Sequence, residues 1–301
     1  MIDVLLAAYN GEKYIRQQLD SVLNQKVSVP FRVLVSDDGS TDDTLAILKS
    51  YGEQLTIVKN IYEKGAKNSF LSLLKQCTGP YAALCDQDDI WEEDKLQRVY
   101  DAMVAENTVQ PCLIHTDLSV VDGGGQQIYP SFFAHQGFDS KAVTLNRLLV
   151  QNNATGCTML LNRPLIDLVV QAEPEKIYMH DWWIALTAAA FGKVICLKDK
   201  TVRYRQHGKN AIGASRKGLL SRALKAFSIR KKLKKRIAVT YDQTAVLLNC
   251  YGDKMTKEKN ACLRFYLAIE KQNKFERIAN LKRGAYTMQN PLQRAGHLWF
   301  L

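Results

Sequence analysis

Tyr81-Ala82-Ala83-Leu84-Cys85-Asp86-Gln87-Asp88-Asp89-Ile90-Trp91 is the stretch on which the reading of this chain turns. An apolar run of strand length ends abruptly in three acids, with a Trp just beyond. Crowded carboxylates repel unless a proton or a cation sits among them, so the cluster calls for a bound divalent ion. Oxygen-rich sites with few protein ligands suit Mg2+ or Mn2+, above all where substrate phosphates complete the shell. The competing reading is a solvated Asp-rich turn that caps the next helix, and an isolated D-x-D favours it. The surroundings must decide.

Upstream, strand-like runs at 2–8, 31–35 and 55–58 precede the one at 81–85. Between them lie helical patterns, one with Ile15, Leu19, Val22 and Leu23 on a face. Another starts near Asp42, which can cap it, and buries Leu45, Ile47, Leu48 and Tyr51. Alternation of this kind predicts a mostly parallel sheet covered on both faces. Downstream, a helix carrying Leu96, Val99 and Met103 leads to a strand at 113–121 and a hairpin through Gly123-Gly124-Gly125. Further strands are expected at 152–161, 194–197 and 202–204, with helices at 166–170 and 181–191. Beyond Gly213 the pattern becomes basic amphipathic helices, at 216–235, 238–250, 256–272 and 275–285. The expectation is one α/β domain over 1–213 with a helical extension over 214–301.

The 301 residues, 47% of them apolar, suffice for such an arrangement. The chain opens directly on a strand without a basic n-region, so no secretory signal is expected. The longest apolar stretch, 182–197, is interrupted by Gly192 and Lys193, which argues against a transmembrane helix. Seven scattered Cys without a C-x-x-C pair read as buried hydrophobes in a reducing compartment. A cytoplasmic protein is expected.

In open α/β sheets, ligands bind beyond the carboxyl ends of the strands where strand order reverses. Tyr9-Asn10 follow the first strand, Asp37-Asp38 the second, and Asp86-Asp88 the fourth. With the first strand between the other two, the acid clusters lie about 10 Å apart, since neighbouring strands are about 4.8 Å apart. That is the span from a base to a diphosphate, with Tyr9 placed to stack on the ring. No G-x-G-x-x-G follows the first strand and no Walker sequence occurs, which weighs against dehydrogenase and NTPase readings.

Ala7-Ala8-Tyr9-Asn10-Gly11, Val35-Ser36-Asp37-Asp38-Gly39-Ser40-Thr41-Asp42 and the D-Q-D-D run resemble the family 2 glycosyltransferases of the GT-A fold. The resemblance continues through Asn153-Ala154-Thr155-Gly156-Cys157-Thr158-Met159-Leu160, His180-Asp181-Trp182-Trp183 and Tyr204-Arg205-Gln206-His207-Gly208. These later motifs look most like the bacterial rhamnosyltransferase branch, which uses dTDP-L-rhamnose to build cell-surface polysaccharides. The resemblance implies a Rossmann-like GT-A sheet and inverting transfer from a nucleotide sugar. It implies Mg2+ or Mn2+ on Asp88, with Asp86 nearby and His207 as a late ligand. Asp181 takes the position of the base, and Asp37 and Asp38 that of the groups binding base and ribose, beside Ala8 and Tyr9. Lys67 and Asn68 stand where relatives often carry an Arg that contacts the donor. The chain departs from that pattern; Asn68 is placed with the donor-binding residues and Lys67 is given no role. Gly156, Trp182 and Trp183 fall on the acceptor side.

Each position has a plainer reading as well. Asp181 can be a helix N-cap, His207 a packed or surface His, and Asp37-Asp38-Gly39 a turn. At least one of Trp182 and Trp183 is expected in the core. The C-x-x-R-W motif of processive synthases is missing, which favours single addition. A UDP-hexose donor, a non-catalytic nucleotide-sugar module and a nucleotidyltransferase are the alternatives.

Charge is divided unevenly. Residues 1–200 hold 18 Lys and Arg against 25 Asp and Glu, whereas 201–301 hold 23 against 5. Between Arg216 and Arg236 stand ten basic residues and no acid, with Leu219, Leu220, Leu224, Phe227 and Leu233 among them. Such a helix suits an anionic leaflet, each basic residue contributing about 1 kcal/mol there. The expectation is peripheral attachment at the inner face of the plasma membrane, beside a polyprenyl-linked glycan acceptor. Nucleic acid is the weaker partner, because no base-reading motif accompanies the charge.

Overall fold

The computed structural model describes residues 1–106, 108–207 and 222–300, and for 222–232, 292, 299 and 300 the backbone alone. In chain order the elements are β1 (Ile2–Ala8), α1 (Ile15–Leu23), β2 (Phe31–Asp37), α2 (Thr44–Ser50), β3 (Leu55–Val58), α3 (Ala66–Gln76), β4 (Tyr81–Asp86), β5 (Ile90–Trp91) and α4 (Lys95–Ala105). Then follow β6 (Cys112–Val121), β7 (Gln127–Tyr129), α5 (Phe132–Gln136), α6 (Leu145–Val150), β8 (Leu160–Asn162), α7 (Arg163–Val169), α8 (His180–Phe191) and β9 (Lys193–Arg205). The chain closes with α9 (Arg222–Tyr251), α10 (Lys257–Ile269), α11 (Lys274–Arg283) and α12 (Pro291–Phe300). Among the described residues no helix is long and apolar enough to cross a membrane.

The strands form one sheet in the order β3-β2-β1-β4-β8-β6-β9-β5, with β7 added on β6. The four N-terminal strands are parallel, with β1 between β2 and β4 as expected. β8 runs antiparallel to both β4 and β6, while β9 is parallel to β6 and antiparallel to β5. Central strands in such a sheet are covered on both faces. Val4, Leu5 and Leu6 accordingly have no exposed surface, and successive residues of β1 feed two separate cores. One core holds α1 and α4; the other holds α3, α7 and α8.

Asp3, at the base of β1, is buried and still ionised. Burial alone would raise its pKa; bonds from Arg32 (2.7 and 3.0 Å) and from the Gly79 and Thr78 amides outweigh that and hold it below the usual carboxylate range.

Three expectations are corrected. The helices at 216–235 and 238–250 form one continuous helix, α9; residues 216–221 lie outside the described residues. The strands at 194–197 and 202–204 are one strand, β9, whose pairing with β6 shifts register near Asp117, so the polar stretch Lys198-Asp199-Lys200 does not end it. The strand expected at 152–161 is reduced to β8, preceded by a loop and a 3-10 turn at Gly156–Thr158. There Asn152 exchanges bonds with the Ala154 backbone (2.9 and 3.0 Å), and Thr158 Oγ1 donates to Thr155 O (2.7 Å). Local side-chain bonds of this kind compete with the ladder.

The C-terminal helices share the second core. Tyr241, Leu247 and Tyr251 of α9 and Leu263 and Tyr266 of α10 are buried in it with α6 and α8. This explains why α8 is apolar all round: the sheet covers one side, and Tyr251 stacks on Trp183 from the other.

Candidate active site

Three strand ends converge where strand order reverses. Ala8 pairs in register with Asp37, and Ala7 with Asp86, so the residues that follow lie along one rim. Asn10 takes a left-handed conformation (φ 47°), which Asn tolerates. Its amide donates to Ser40 Oγ (2.9 Å) and its Oδ1 accepts from Thr41 N (2.8 Å), joining the first two rim loops. Gln87 joins the first and third: Tyr9 N donates to Gln87 Oε1 (2.8 Å), and Gln87 Nε2 returns a bond to Tyr9 O (2.9 Å). A Cβ on Gly11 would stand 2.2 Å from Gln87 Oε1, so a larger residue there would push this clasp open. Tyr9 itself is 52% exposed, leaving its ring free to stack.

Asp37 accepts from Ser40 Oγ (2.5 Å) and from the Gly39 and Ser40 amides, so it also builds its own turn. Asp38 is buried and held from the side: Asn60 Nδ2 donates to Oδ1 (3.0 Å) and Gly65 N to Oδ2 (2.5 Å). Asn68, on the first turn of α3, has its Oδ1 buried without a protein partner. Lys67 turns elsewhere, donating to Pro174 O (2.7 Å) and Ile177 O (2.9 Å), which ties α3 to the segment before Asp181.

The acid cluster divides by burial. Asp89 points inward with no exposed surface; the Arg205 amide donates to its Oδ1 (3.0 Å), and its Oδ2 has no protein partner. Burial, then the charges of Asp86 and Asp88, push its pKa well above the usual range. Asp86 is pushed up to about 7 by burial and by Asp88 and Asp181. Asp88 Oδ2 meets His207 Nε2 at 2.6 Å. The solvated-turn reading is therefore wrong for this cluster: two of the three carboxyls are held where charge is disfavoured.

Asp86, Asp88 and His207 stand along one rim as two carboxylates and an imidazole, donor types that an oxygen-preferring divalent ion accepts, with Asp88 and His207 in contact and Asp86 near enough for the Asp88 charge to raise its pKa. Among the described residues, the group whose ligand atoms all lie within 4.8 Å of one another is a different one, Asp86, Asp89 and Cys157. Burial and the neighbouring acids raise the Cys157 thiol well above its ordinary pKa, however, so it stays protonated and is a poor ligand.

Two basic residues absent from the sequence-based site hold the cluster from behind. Arg205 is 2% exposed; its Nε donates to Asp88 O (2.9 Å), its other nitrogens to Gly123 O (3.0 Å) and Gln17 Oε1 (2.7 Å), and it lies 4.6 Å over the Tyr14 ring. Lys95 is fully buried, donates to Cys157 O (2.5 Å), and sits 4.0 Å from the Trp91 ring centroid. Burial lowers its pKa to about 8 against the pull of the surrounding acids and thiols. Arg205 stands inside a motif already quoted and could have been singled out; nothing local marks Lys95.

Asp181 is not an N-cap. Met179 occupies that position, and Asp181 lies within the first turn of α8, its Oδ1 accepting from Trp182 N (2.6 Å). It opens into a cavity of about 980 Å³ together with Trp182, Tyr204 and Gln206. Burial raises its pKa to about 6, although the Trp182 amide acts in the opposite direction. Gly156 backs this helix turn: a Cβ there would meet His180 Nε2 at 2.9 Å and Asp181 Cβ at 3.7 Å. Trp182 lies at the cavity wall, its Nε1 bonded to Leu148 O (2.7 Å). Trp183 is corrected: it has no exposed surface, its Nε1 donates to Val169 O (3.3 Å), and it belongs to the core rather than to an acceptor platform.

The sequence profile described as "Glycosyl transferase family 2" matches residues 3–168, more than half of the chain. The chain belongs to that family. Among relatives of this family 2 chain, the dTDP-rhamnosyl transferase RfbG of Shigella flexneri is 27% identical over 225 residues, covering 70% of this chain and 74% of its own. A UDP-Glc:alpha-D-GlcNAc-diphosphoundecaprenol beta-1,3-glucosyltransferase of Escherichia coli, WfgD, is 29% identical over 169 residues, covering 56% of this chain and 62% of its own. This chain thus spans about three fifths of the second relative. The fold is also that of S. aureus TarS 1-349 in complex with UDP-GlcNAc (TM-score 0.58, 17% identity, 98% of this chain and 83% of that one). It is likewise that of the mannosyltransferase PcManGT from Pyrobaculum calidifontis in complex with GDP-Man and Mn2+ (TM-score 0.54, 18% identity, 98% and 79%).

Proposed function

We propose that this chain is an inverting, metal-dependent glycosyltransferase that moves L-rhamnose from dTDP-L-rhamnose onto a lipid-linked cell-surface glycan. The observation that carries the reading is Asp181, a carboxylate with its pKa raised to about 6 that opens into a large cavity and is close enough to the acid rim to raise Asp86. In the reaction the acceptor oxygen attacks C1 of the donor sugar, and the C1–O bond breaks on the opposite face. The bonding pair leaves with the nucleotide diphosphate, and the acceptor proton passes to Asp181. A divalent ion on Asp86, Asp88 and His207 would supply Lewis-acid stabilisation of the leaving diphosphate. Asp38, fixed by Asn60 and the Gly65 amide, accepts hydrogen bonds from base or ribose, with Asp37 beside it and the Tyr9 ring stacked on the base. Ala8 and Asn68 complete the donor side. Gly156 keeps the Asp181 turn close, and Trp182 offers the acceptor sugar an aromatic wall.

The likeness to RfbG supports rhamnose; the likeness to WfgD supports the second reading, a UDP-hexose donor with the same mechanism. A thermal-shift screen of dTDP-L-rhamnose, UDP-glucose and UDP-GlcNAc with and without Mn2+ separates them. The expected result is a melting temperature raised by dTDP-L-rhamnose only with Mn2+; at 100 times Kd the stabilisation is about 2.7 kcal/mol. A shift with UDP-glucose alone would overturn rhamnose and leave the mechanism standing.

The basic segment 216–236 places the protein peripherally at the inner face of the plasma membrane in this reading. Lys234, Lys235 and Arg236 are its described basic side chains, and all three are exposed. In liposome flotation the protein is expected to rise with vesicles containing acidic lipid and to stay behind with neutral ones. Equal recovery with both would remove the membrane attachment.

A further inference from the structure

The cavity that contains Asp181 is larger than a base needs and has a second chemical character. Part of its wall comes from α9, through Lys235, Arg236, Val239 and Thr240. Phe132 and Phe138 add aromatic surface to the same enclosure. Among the described residues, Asp181 is its sole carboxylate. Lys235 and Arg236 both line the cavity, and among the described residues no acid pairs with either.

The field of Arg236 is felt nearby. Its own pKa is lowered, first by desolvation among its neighbours, although the residue as a whole is exposed. On α12, His297 is pushed down to about 4, by burial and then by the charge of Arg236. Two adjacent cations on one helix turn, in a partly apolar enclosure, match a ligand that joins several anionic oxygens to a hydrocarbon.

We infer that Lys235 and Arg236 form an anion subsite for the diphosphate of a lipid-diphosphate-linked acceptor, with Phe132, Phe138 and Val239 as surface for the first part of its chain. This rests on the proposed glycosyl transfer and makes the acceptor's linking group, rather than its sugar alone, a determinant of recognition. The donor diphosphate is a different ligand, because it belongs at the acid rim.

The test is calorimetric binding of farnesyl diphosphate to the full chain in EDTA, which removes metal-dependent binding at the donor site. Inorganic pyrophosphate and farnesol are the comparison probes. Farnesyl diphosphate is expected to bind more tightly than pyrophosphate, and farnesol not to bind. The K235Q/R236Q variant should lose at least tenfold in affinity, whereas K282Q/R283Q, with the same charge change on α11, should match the parent. Equal affinity for farnesyl diphosphate and pyrophosphate would overturn the lipid assignment, pointing to phosphate alone. Unchanged binding in K235Q/R236Q, or an equal loss in K282Q/R283Q, would overturn the subsite. Because the assay needs no sugar transfer, binding as described without transfer from any nucleotide sugar would sink the function and leave the subsite standing.

Discussion

Asp181→Asn is expected to lower kcat by about 10² to 10⁴-fold, the usual contribution of a general base, while leaving donor affinity nearly unchanged. The amide keeps the shape of the turn but cannot accept the acceptor's proton, so the loss is confined to the transition state. The pH profile carries a second signature. Burial raises the Asp181 pKa to about 6, so the base is protonated below that value and ionised above it. Parental kcat should therefore fall about tenfold per unit as pH drops below 6, and rise to a plateau above it. The Asn variant should lack that limb. Single-turnover transfer from dTDP-L-rhamnose, with donor affinity measured by calorimetry, checks both. Parental rates in the variant would remove Asp181 from the chemistry.

Asp88→Asn should abolish turnover and, with it, the dependence of donor binding on Mn2+. Asp88 contacts His207 at 2.6 Å, so the amide removes an anionic donor from the proposed ligand set. The loss of Mn2+ affinity should exceed the ~10 to 100-fold typical of an outer-shell partner. Metal-free stability offers an independent check. Asp86 is held up near pKa 7 by burial first and by the Asp88 charge second, so neutralising Asp88 relieves repulsion. The variant should then melt no lower than the parent in EDTA. A protein that melts normally and still binds dTDP with parental Mn2+ dependence would place the ion elsewhere.

The N-terminal half was legible because its strands are buried on both faces and its loops carry their chemistry in short runs. Val4 to Leu6 and Ala82 to Cys85 read as strands for the reason they are central. The rest was hidden by partners distant in sequence. β9 carries Lys198, Asp199 and Lys200 at a register shift, and its polarity suggested a break. Trp183 stands two residues after the proposed base and looked like its neighbour Trp182, yet helical rotation turns it towards Tyr251. The short helices α5 and α6, of five and six residues, carry too few turns for a periodic signal. Asp89 received no role from the sequence, and its place as an interior acid depends on the distant Arg205 amide and Cys157.

The long strand β9 has a practical consequence for anyone shortening this protein. Profile similarity stops at residue 168, but β9 lies between β6 and β5 and brings Arg205 behind the rim. A fragment cut at that point would leave two raw sheet edges, which invite self-association, and would lack the guanidinium brace. The interdependent unit therefore runs well past the profile's end: β9 completes the sheet between β6 and β5, and Tyr241, Leu247 and Tyr251 of α9 complete the core behind Trp183.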